Sequence, residues 1–499
     1  MPGKRPAPAS LADSQWDLVV IGGGITGAGV LLQAAQLGLK VLLLEKHDFA
    51  WGTSSRSSKM VHGGLRYIAQ GDIRLTREAL RERERLLCEL PGLVVRQTYL
   101  FPIRRGQFPG RWAMTLVLWL YDRLARIRDH RWVSAKELAE RVPALRHDQV
   151  EGAMSYTDAL TDDSRLVLRV LHEAAAEGGA MINYAGAESV SGTPGDMQLV
   201  LQDSVTGARH TLRSRHVINA TGAWADRLSG AGARVRPLRG SHLFVAAARL
   251  PVKDCLTVMH PDDGRPVFVF PWEGLTCIGT TDLDHGDDLD REPRVSQREI
   301  DYLLRLVNTQ FPEIHLAEQD IVSTMAGVRP VISSGKGLDP SKERRDHAVW
   351  THDGVITVSG GKLTTFRVIA LDALLAAALI DRQTYRRLLN TPRLFRQAPP
   401  LPAGLGHPLH AWPQGEALGE QVRWVLDNEM VQHLDDLMLR RTRLGNLLPD
   451  GGATTLVGLR AQISAQLGWD EARWQAELTR YQGIVQRFYS LPAPAIEAA

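Results

Sequence analysis

The chain has 499 residues, of which 44% are hydrophobic and 23% charged, with a net charge of +3. That length exceeds one ordinary core, so two or three domains are expected, and the balance excludes a broadly disordered protein. A net charge this small gives no argument for a nucleic-acid partner, although it admits an anionic substrate or an acidic membrane surface. The three cysteines, Cys88, Cys255 and Cys277, lack C-x-x-C spacing. This excludes a disulfide framework and a zinc site, fits a reducing cytosol, and makes all three read as buried small hydrophobes; no metal is expected.

Residues 1–15 carry Lys4 and Arg5 but no apolar run, so they read as a disordered tail and not a signal peptide. Residues 16–44 follow a clear order. A short apolar strand runs from Asp17 to Ile21, then come Gly22-Gly-Gly-Ile-Thr-Gly27, an alanine- and leucine-rich helix to about Gln36, and a second apolar strand at 40–44 ending on Glu45. Strand, glycine turn, helix and strand within about 30 residues make a βαβ unit with parallel pairing. Residues 73–88 and 163–178 have helical period, and 199–217 alternates like strands about a turn at Thr206-Gly207. From 236 to 282 the pattern becomes β, with strands near 241–246, 267–271 and 276–280 that read as an antiparallel sheet of a separate domain. The strand 355–359 meets Gly360-Gly361 and leads into a helix over 363–381. Beyond about Asn390 a Pro/Gly-rich linker precedes a helical tail whose Val422, Leu426, Met430 and Leu434 form one apolar stripe.

Gly22, Gly24 and Gly27 stand in G-x-G-x-x-G order. The first permits a tight turn, the second lets backbone approach a pyrophosphate, and the third lets helix and strand pack closely. The phosphates then meet a helix N-terminus, where free N–H groups favour negative charge. Glu45 lies 18 residues beyond Gly27, at the end of the second strand, where a carboxylate accepts ribose hydroxyls and disfavours a 2′-phosphate. The motif alone does not separate FAD from NAD.

The segment Thr53-Ser-Ser-Arg-Ser-Ser-Lys-Met-Val-His-Gly-Gly-Leu-Arg-Tyr67, with Gly240-Ser-His242, Gly279-Thr-Thr-Asp282, Gly327-Val-Arg-Pro330 and Gly360-Gly-Lys-Leu-Thr-Thr365, closely resembles the FAD-dependent, quinone-linked glycerol-3-phosphate dehydrogenases. The likeness runs from about Gln15 to Asp381 and resumes at 421–445, where Leu439-Arg-Arg-Thr-Arg-Leu444 is similar to the family's helical C-terminal domain. The connection between Asp381 and Gln421 is shorter than the family's, which bears on membrane and oligomer contacts more than on chemistry.

The resemblance implies an α/β fold: a Rossmann-like FAD-binding domain of the glutathione-reductase superfamily, an antiparallel-sheet substrate-binding domain and a helical C-terminal domain. The corresponding segments are 16–90, 150–232 and 326–385 for FAD, 91–149 and 233–325 for substrate, and 395–499 for the helical part. It implies a flavoprotein that oxidises sn-glycerol 3-phosphate to dihydroxyacetone phosphate and then reduces a membrane quinone. Such an enzyme is expected in the cytoplasm, peripheral on the inner face of the cytoplasmic membrane, with a homodimer left open. An FAD-dependent amino-acid or 2-hydroxy-acid oxidase, or a non-catalytic membrane-associated flavoprotein, are the competing readings.

Hydride transfer to a flavin needs a held phosphate and a base for the alcohol proton. Guanidinium groups suit a phosphate dianion, and the residues that the resemblance places around the substrate, Arg66, Arg329 and Arg345 with the ammonium of Lys362, are the expected clamp. His242 is the expected base, since histidine titrates nearest neutrality, with Tyr67 orienting the hydroxyl and Arg329 also assigned to catalysis. Cofactor contacts are expected from Gly22, Gly24, Ile25, Thr26, Gly27 and Glu45. Further ones are implied at Thr53, Ser54, Ser58, Lys59, His62, Gly63, Gly64, Ala220, Thr221, Gly222, Gly361, Lys362, Leu363 and Thr364. For membrane contact, residues 111–131 combine Trp112, Leu116, Leu118, Trp119 and Leu120 with Arg123, Arg126, Arg128 and Arg131. That stretch reads as apolar almost all round, so a buried core helix explains it equally well.

Overall fold

Two sheets organise the chain. The computed structural model describes residues 3–69, 71–230, 232, 234–335, 339, 343 and 346–492, with the side chains of Arg66 and Ala69 outside that description. In the first sheet the strand order is His347–His352, Val355–Gly360, Arg209–Asn219, Gln15–Ile21, Val41–Leu44 and Ala180–Ile182. All neighbours from Val355–Gly360 onward pair in parallel. The wholly buried Val41–Leu44 is an unbroken apolar run, as a parallel strand covered on both faces should be. Helices Ile25–Gln36, Asp163–Ala176 and Phe366–Ala376 share its largest apolar core. Gly29 permits their close approach, because a Cβ there would lie 2.9 Å from the Phe366 ring.

The second sheet contains the β-rich stretch anticipated from sequence, as strands Val235–Ala246, Cys255–Met259, Pro266–Trp272 and Leu275–Gly279. These four pair antiparallel with one another. The sheet also takes in Val94–Arg104, Val150–Thr161 and Ile321–Ile332. Hydrogen bonding therefore joins 150–161 and 326–332 to the second sheet, whereas sequence grouped them with the nucleotide-binding segments. Alternation along a strand reveals its two faces but not which sheet receives it.

Three local expectations need correction. The N-terminal segment is not a free tail: Leu11 is buried on helix Pro8–Ala12, and Arg5 pairs with Asp203 at 2.7 Å. Cys88 is exposed while Cys255 and Cys277 are buried, because Cys88 falls off the stripe of Leu75, Ala79 and Leu86 that buries helix Ile73–Glu89. Helix Arg111–Ala125 is not a core helix. Met114, Leu118 and Tyr121 are buried, but Phe108, Trp112, Leu116 and Trp119 on the other side are 87%, 79%, 65% and 47% exposed. Among the described residues no helix is long and apolar enough to cross a membrane.

The C-terminal region is built from helices Gly415–Asn428, Ala453–Leu467 and Glu471–Ile484 around its own core, which includes Val422, Leu426 and Leu434. Met430 turns instead into the core of the first sheet. Buried charges join this region to the rest. Asp48, three residues beyond Glu45, accepts from Arg440 at 2.5 Å and from both terminal nitrogens of Arg441 at 2.6 and 2.7 Å. Arg165 grips Glu429 through two 2.6 Å bonds. Arg443 reaches Asp162 at 3.0 Å and also bonds Asp163. Burial works against a charged Asp48, yet the Arg441 and Arg440 guanidiniums outweigh it and hold its carboxyl below the usual range.

Candidate active site

A cavity of about 410 Å³ opens where the parallel strands end. Gly22, Gly24, Ile25, Thr26 and Glu45 line it, with Thr53 and Ser54, Ala220 to Gly222, and Gly361 to Leu363. The glycines act as their spacing predicts. Gly22 has φ +112° and a Cβ on it would lie 2.6 Å from the Ala220 carbonyl, while one on Gly27 would lie 1.8 Å from the Gly22 carbonyl. Ser54 Oγ accepts from the Ile25 N–H at 3.0 Å, fixing the incoming loop to the helix N-terminus. Glu45 accepts from the N–H groups of Gly23 (2.7 Å) and His47 (2.8 Å), one on each oxygen. Each oxygen keeps a lone pair for a hydroxyl. Burial raises its pKa.

The same cavity is also lined by His47, Trp51 and Trp224, which sequence reasoning missed. Their rings form a row, with centroids 4.2 Å apart for His47 and Trp51 and 6.0 Å apart for Trp51 and Trp224. His47 and Trp51 lie just beyond Glu45, a signal that was available. Trp224 lies two residues beyond Gly222, past the end of strand Arg209–Asn219, and had none.

Three of the shorter motifs interlock with one another and with the long one. A Cβ on Gly240 would lie 2.2 Å from Arg329 Nη2, and a Cβ on Gly279 would lie 2.2 Å from the His242 ring. A Cβ on Gly327 would lie 2.4 Å from the Arg56 carbonyl. Each glycine on one strand is thus the space that a functional residue of another motif occupies. The register supports this, since His242 stands opposite Gly279 and Gly240 opposite Gly327. Arg329 donates from Nη2 to Thr280 Oγ1 at 2.9 Å, and its Nη1 lies 3.3 Å from Asp282.

His242 is fully buried, with Nε2 3.0 Å from Ser58 Oγ, and its Nδ1 has no hydrogen-bond partner among the described residues. Burial pushes its pKa well below the usual value, and the Arg329 and Lys59 cations push the same way, so the imidazole is neutral. Lys362 Nζ lies 3.6 Å from the centroid of the Tyr67 ring and is buried without a hydrogen-bond partner among the described residues. Burial drives its pKa down to about 7, against the pull of Asp158 and Glu78. Gly64, at φ +79°, brings the chain back so tightly that a Cβ would lie 2.1 Å from Tyr67.

Other expected residues sit behind the cavity and do not line it. Lys59 is buried and pairs with Asp163 at 2.8 Å, so its charge is spent inside the fold. The Gly63 N–H donates to the Tyr121 hydroxyl at 3.0 Å. The His62 N–H donates to Thr364 Oγ1 at 3.2 Å, tying that segment to the turn after Gly361. The Arg66 side chain and Arg345 lie outside the described residues.

A glycine-turned helix N-terminus, a ribose-competent acid, and a second sheet presenting a neutral histidine beside cations define a dinucleotide-dependent oxidoreductase of two-sheet construction. The cavity and its donors fit FAD. The sequence profile described as FAD dependent oxidoreductase matches residues 17–367, and that of the C-terminal domain of alpha-glycerophosphate oxidase matches 390–474. The chain belongs to the FAD-dependent oxidoreductase family and, within it, to the FAD-dependent glycerol-3-phosphate dehydrogenases.

Aerobic glycerol-3-phosphate dehydrogenase of Staphylococcus saprophyticus is 36% identical over 379 residues, covering 72% of this chain and 67% of the relative. That of Staphylococcus haemolyticus is 35% identical over 391 residues, covering 76% and 69%. The glycerol-3-phosphate dehydrogenase from Bacillus halodurans, solved with FAD, superposes with a TM-score of 0.71 at 26% identity, over 96% of this chain and 95% of that one. The L-alpha-glycerophosphate oxidase of Mycoplasma pneumoniae, with FAD bound, shares the fold at a TM-score of 0.59 and 17% identity, over 73% and 95%.

The Lys362 amine is expected to titrate near neutrality. Competitive acylation across pH, read by mass spectrometry, should give it a midpoint near pH 7, because burial disfavours the ammonium. Inorganic phosphate, by favouring the ammonium, should move the midpoint upward. A midpoint at the ordinary 10.5, or one indifferent to phosphate, contradicts this picture.

Proposed function

We propose that this FAD-dependent enzyme oxidises sn-glycerol 3-phosphate to dihydroxyacetone phosphate and passes the electrons to a membrane quinone. The observation that carries the reading is the pairing of Gly240 with Arg329 and of Gly279 with His242, which sets a phosphate-binding cation beside a neutral base. The printed names of the relatives support the same substrate.

In this reading Arg329 and Lys362 hold the phosphate, with Arg66 and Arg345 as further arms of the clamp. Tyr67 orients the hydroxyl. As the carbon–hydrogen bond breaks, the hydroxyl proton goes to His242, whose Nδ1, without a hydrogen-bond partner among the described residues, is the acceptor, and the carbon–oxygen double bond forms. FAD, when bound, supplies the hydride acceptor. The first-sheet segments carry the cofactor, with its pyrophosphate at Gly22–Gly27 and its ribose on Glu45, and the second sheet carries the substrate.

Without oxygen, glycerol 3-phosphate should bleach the oxidised flavin band of the purified protein, and a soluble quinone should restore it. In Arg329→Ala the KM should rise by about 10- to 100-fold, the scale of losing a charge-assisted hydrogen bond. Bound flavin that does not bleach sinks the substrate, and prompt peroxide formation in air favours the oxidase reading.

Contact with the membrane's inner face is supported by the stripe Phe108, Trp112, Leu116 and Trp119. Arg111 lies 5.5 Å from the Trp112 ring centroid and Arg123 lies 5.2 Å from that of Trp119, a pairing suited to anionic headgroups. Seven arginines stand against two aspartates between residues 104 and 131. Replacing Trp112 and Trp119 together by Ser should weaken sedimentation with anionic vesicles at least about tenfold. Unchanged sedimentation removes this face from the contact.

A further inference from the structure

Arg56 lies in the loop that brings Thr53 and Ser54 to the cavity, and it is buried. Its Nη1 donates to the Trp51 carbonyl, so the guanidinium braces the loop from behind. Two groups hold that guanidinium in turn. Glu292, from the connection that follows the second sheet's edge strand Leu283–Asp284, lies 2.9 Å from Nη2. The Tyr489 hydroxyl accepts from Nε at 3.2 Å and from Nη2 at 3.0 Å. Tyr489 is buried near the end of the chain, past residue 474 where the C-terminal family profile stops. Ser490 is fastened nearby, its carbonyl accepting from Thr324 Oγ1 at 3.2 Å.

We propose that Tyr489 is a positioning residue for the cofactor: by orienting Arg56 it fixes the 51–56 loop against the cavity and slows the escape of FAD. The loop is also tied by the Ser54 bond to the helix N-terminus, a Thr53 bond to the Val328 carbonyl and a 2.8 Å bond from Lys59 to the Ser55 carbonyl. None of these reaches the carbonyl of Trp51, a residue that lines the cavity. The Trp51 N–H donates to the Asp48 carbonyl at 3.0 Å, and the Arg56 guanidinium holds the carbonyl on the other side of that residue. A guanidinium that loses an acceptor for two of its nitrogens is free to swing about Glu292 and release the Trp51 carbonyl. The C-terminal region thus acts on the flavin site from outside it, through this phenol as well as through the buried arginine pairs.

The inference rests on FAD occupying this cavity, and the test separates the two. FAD release from the holoprotein is followed as the gain in flavin fluorescence after dilution into flavin-free buffer, with unfolding followed by circular dichroism. Tyr489→Phe removes only the hydroxyl and should speed release about tenfold, the scale of one hydrogen bond to a charged group. Tyr481→Phe is the control, because the Tyr481 hydroxyl donates to the Gly451 carbonyl within the C-terminal core and touches no part of the loop. It should lower the unfolding temperature and leave the release rate as in the parent. Release unchanged in Tyr489→Phe overturns the proposal, as does equal acceleration in Tyr481→Phe, which would trace the loss to general loosening. A parent protein that retains no FAD would overturn the cavity's assignment and the proposal with it.

Discussion

The arrangement depends on two carboxylate centres that the fold buries and arginines of the C-terminal region neutralise. Asp48 lies between Arg440 and Arg441, and Asp162 and Asp163 meet Arg443 and Lys59. Removing one partner of a buried pair typically costs about 3–5 kcal/mol. An exposed bridge such as Arg209 with Glu188 is worth about 0–1 kcal/mol. The buried set therefore governs the geometry. Asp48 follows Glu45, and Asp163 holds both Ser57 and Lys59, so these ions fix the two ends of the loop that lines the cavity.

From that fixed loop the chemistry follows by contact. Ser58 faces His242 across the seam between the sheets. The glycines of the second sheet leave the room that His242 and Arg329 fill, and the first sheet's last turn offers Lys362 against Tyr67. Burial acts the same way at two groups of the same charge type: it lowers the pKa of each, keeping His242 neutral and bringing Lys362 to about 7, at the edge of deprotonation.

Local features were legible in the sequence. The Gly22–Gly27 turn, Glu45 and the β-rich stretch depend on neighbours a few residues away, and the structure has them in those forms. The motif family also pointed to Arg329, His242 and Lys362. Long-range partnerships were not legible. Arg443 meets Asp162 across 281 positions and Arg56 meets Tyr489 across 433, and no periodicity encodes such pairs. Lys59 was expected at the cofactor for the same reason: its motif was visible, but the aspartate that consumes its charge was not. Whether Trp112 and Trp119 belong to a membrane-facing or a core helix stayed open in the sequence, because composition counts apolar residues without saying which side another element covers.

The central claim is that substrate binds at the seam, between the Gly360–Lys362 turn and the strand carrying Arg329. A crystal structure of the holoprotein with dihydroxyacetone phosphate tests it most directly. The account predicts the phosphate within about 3 Å of both the Arg329 guanidinium and the Lys362 amine, with the carbonyl carbon against the flavin. A phosphate bound away from both side chains, in a protein whose flavin still occupies the Gly22–Gly27 cavity, would contradict it.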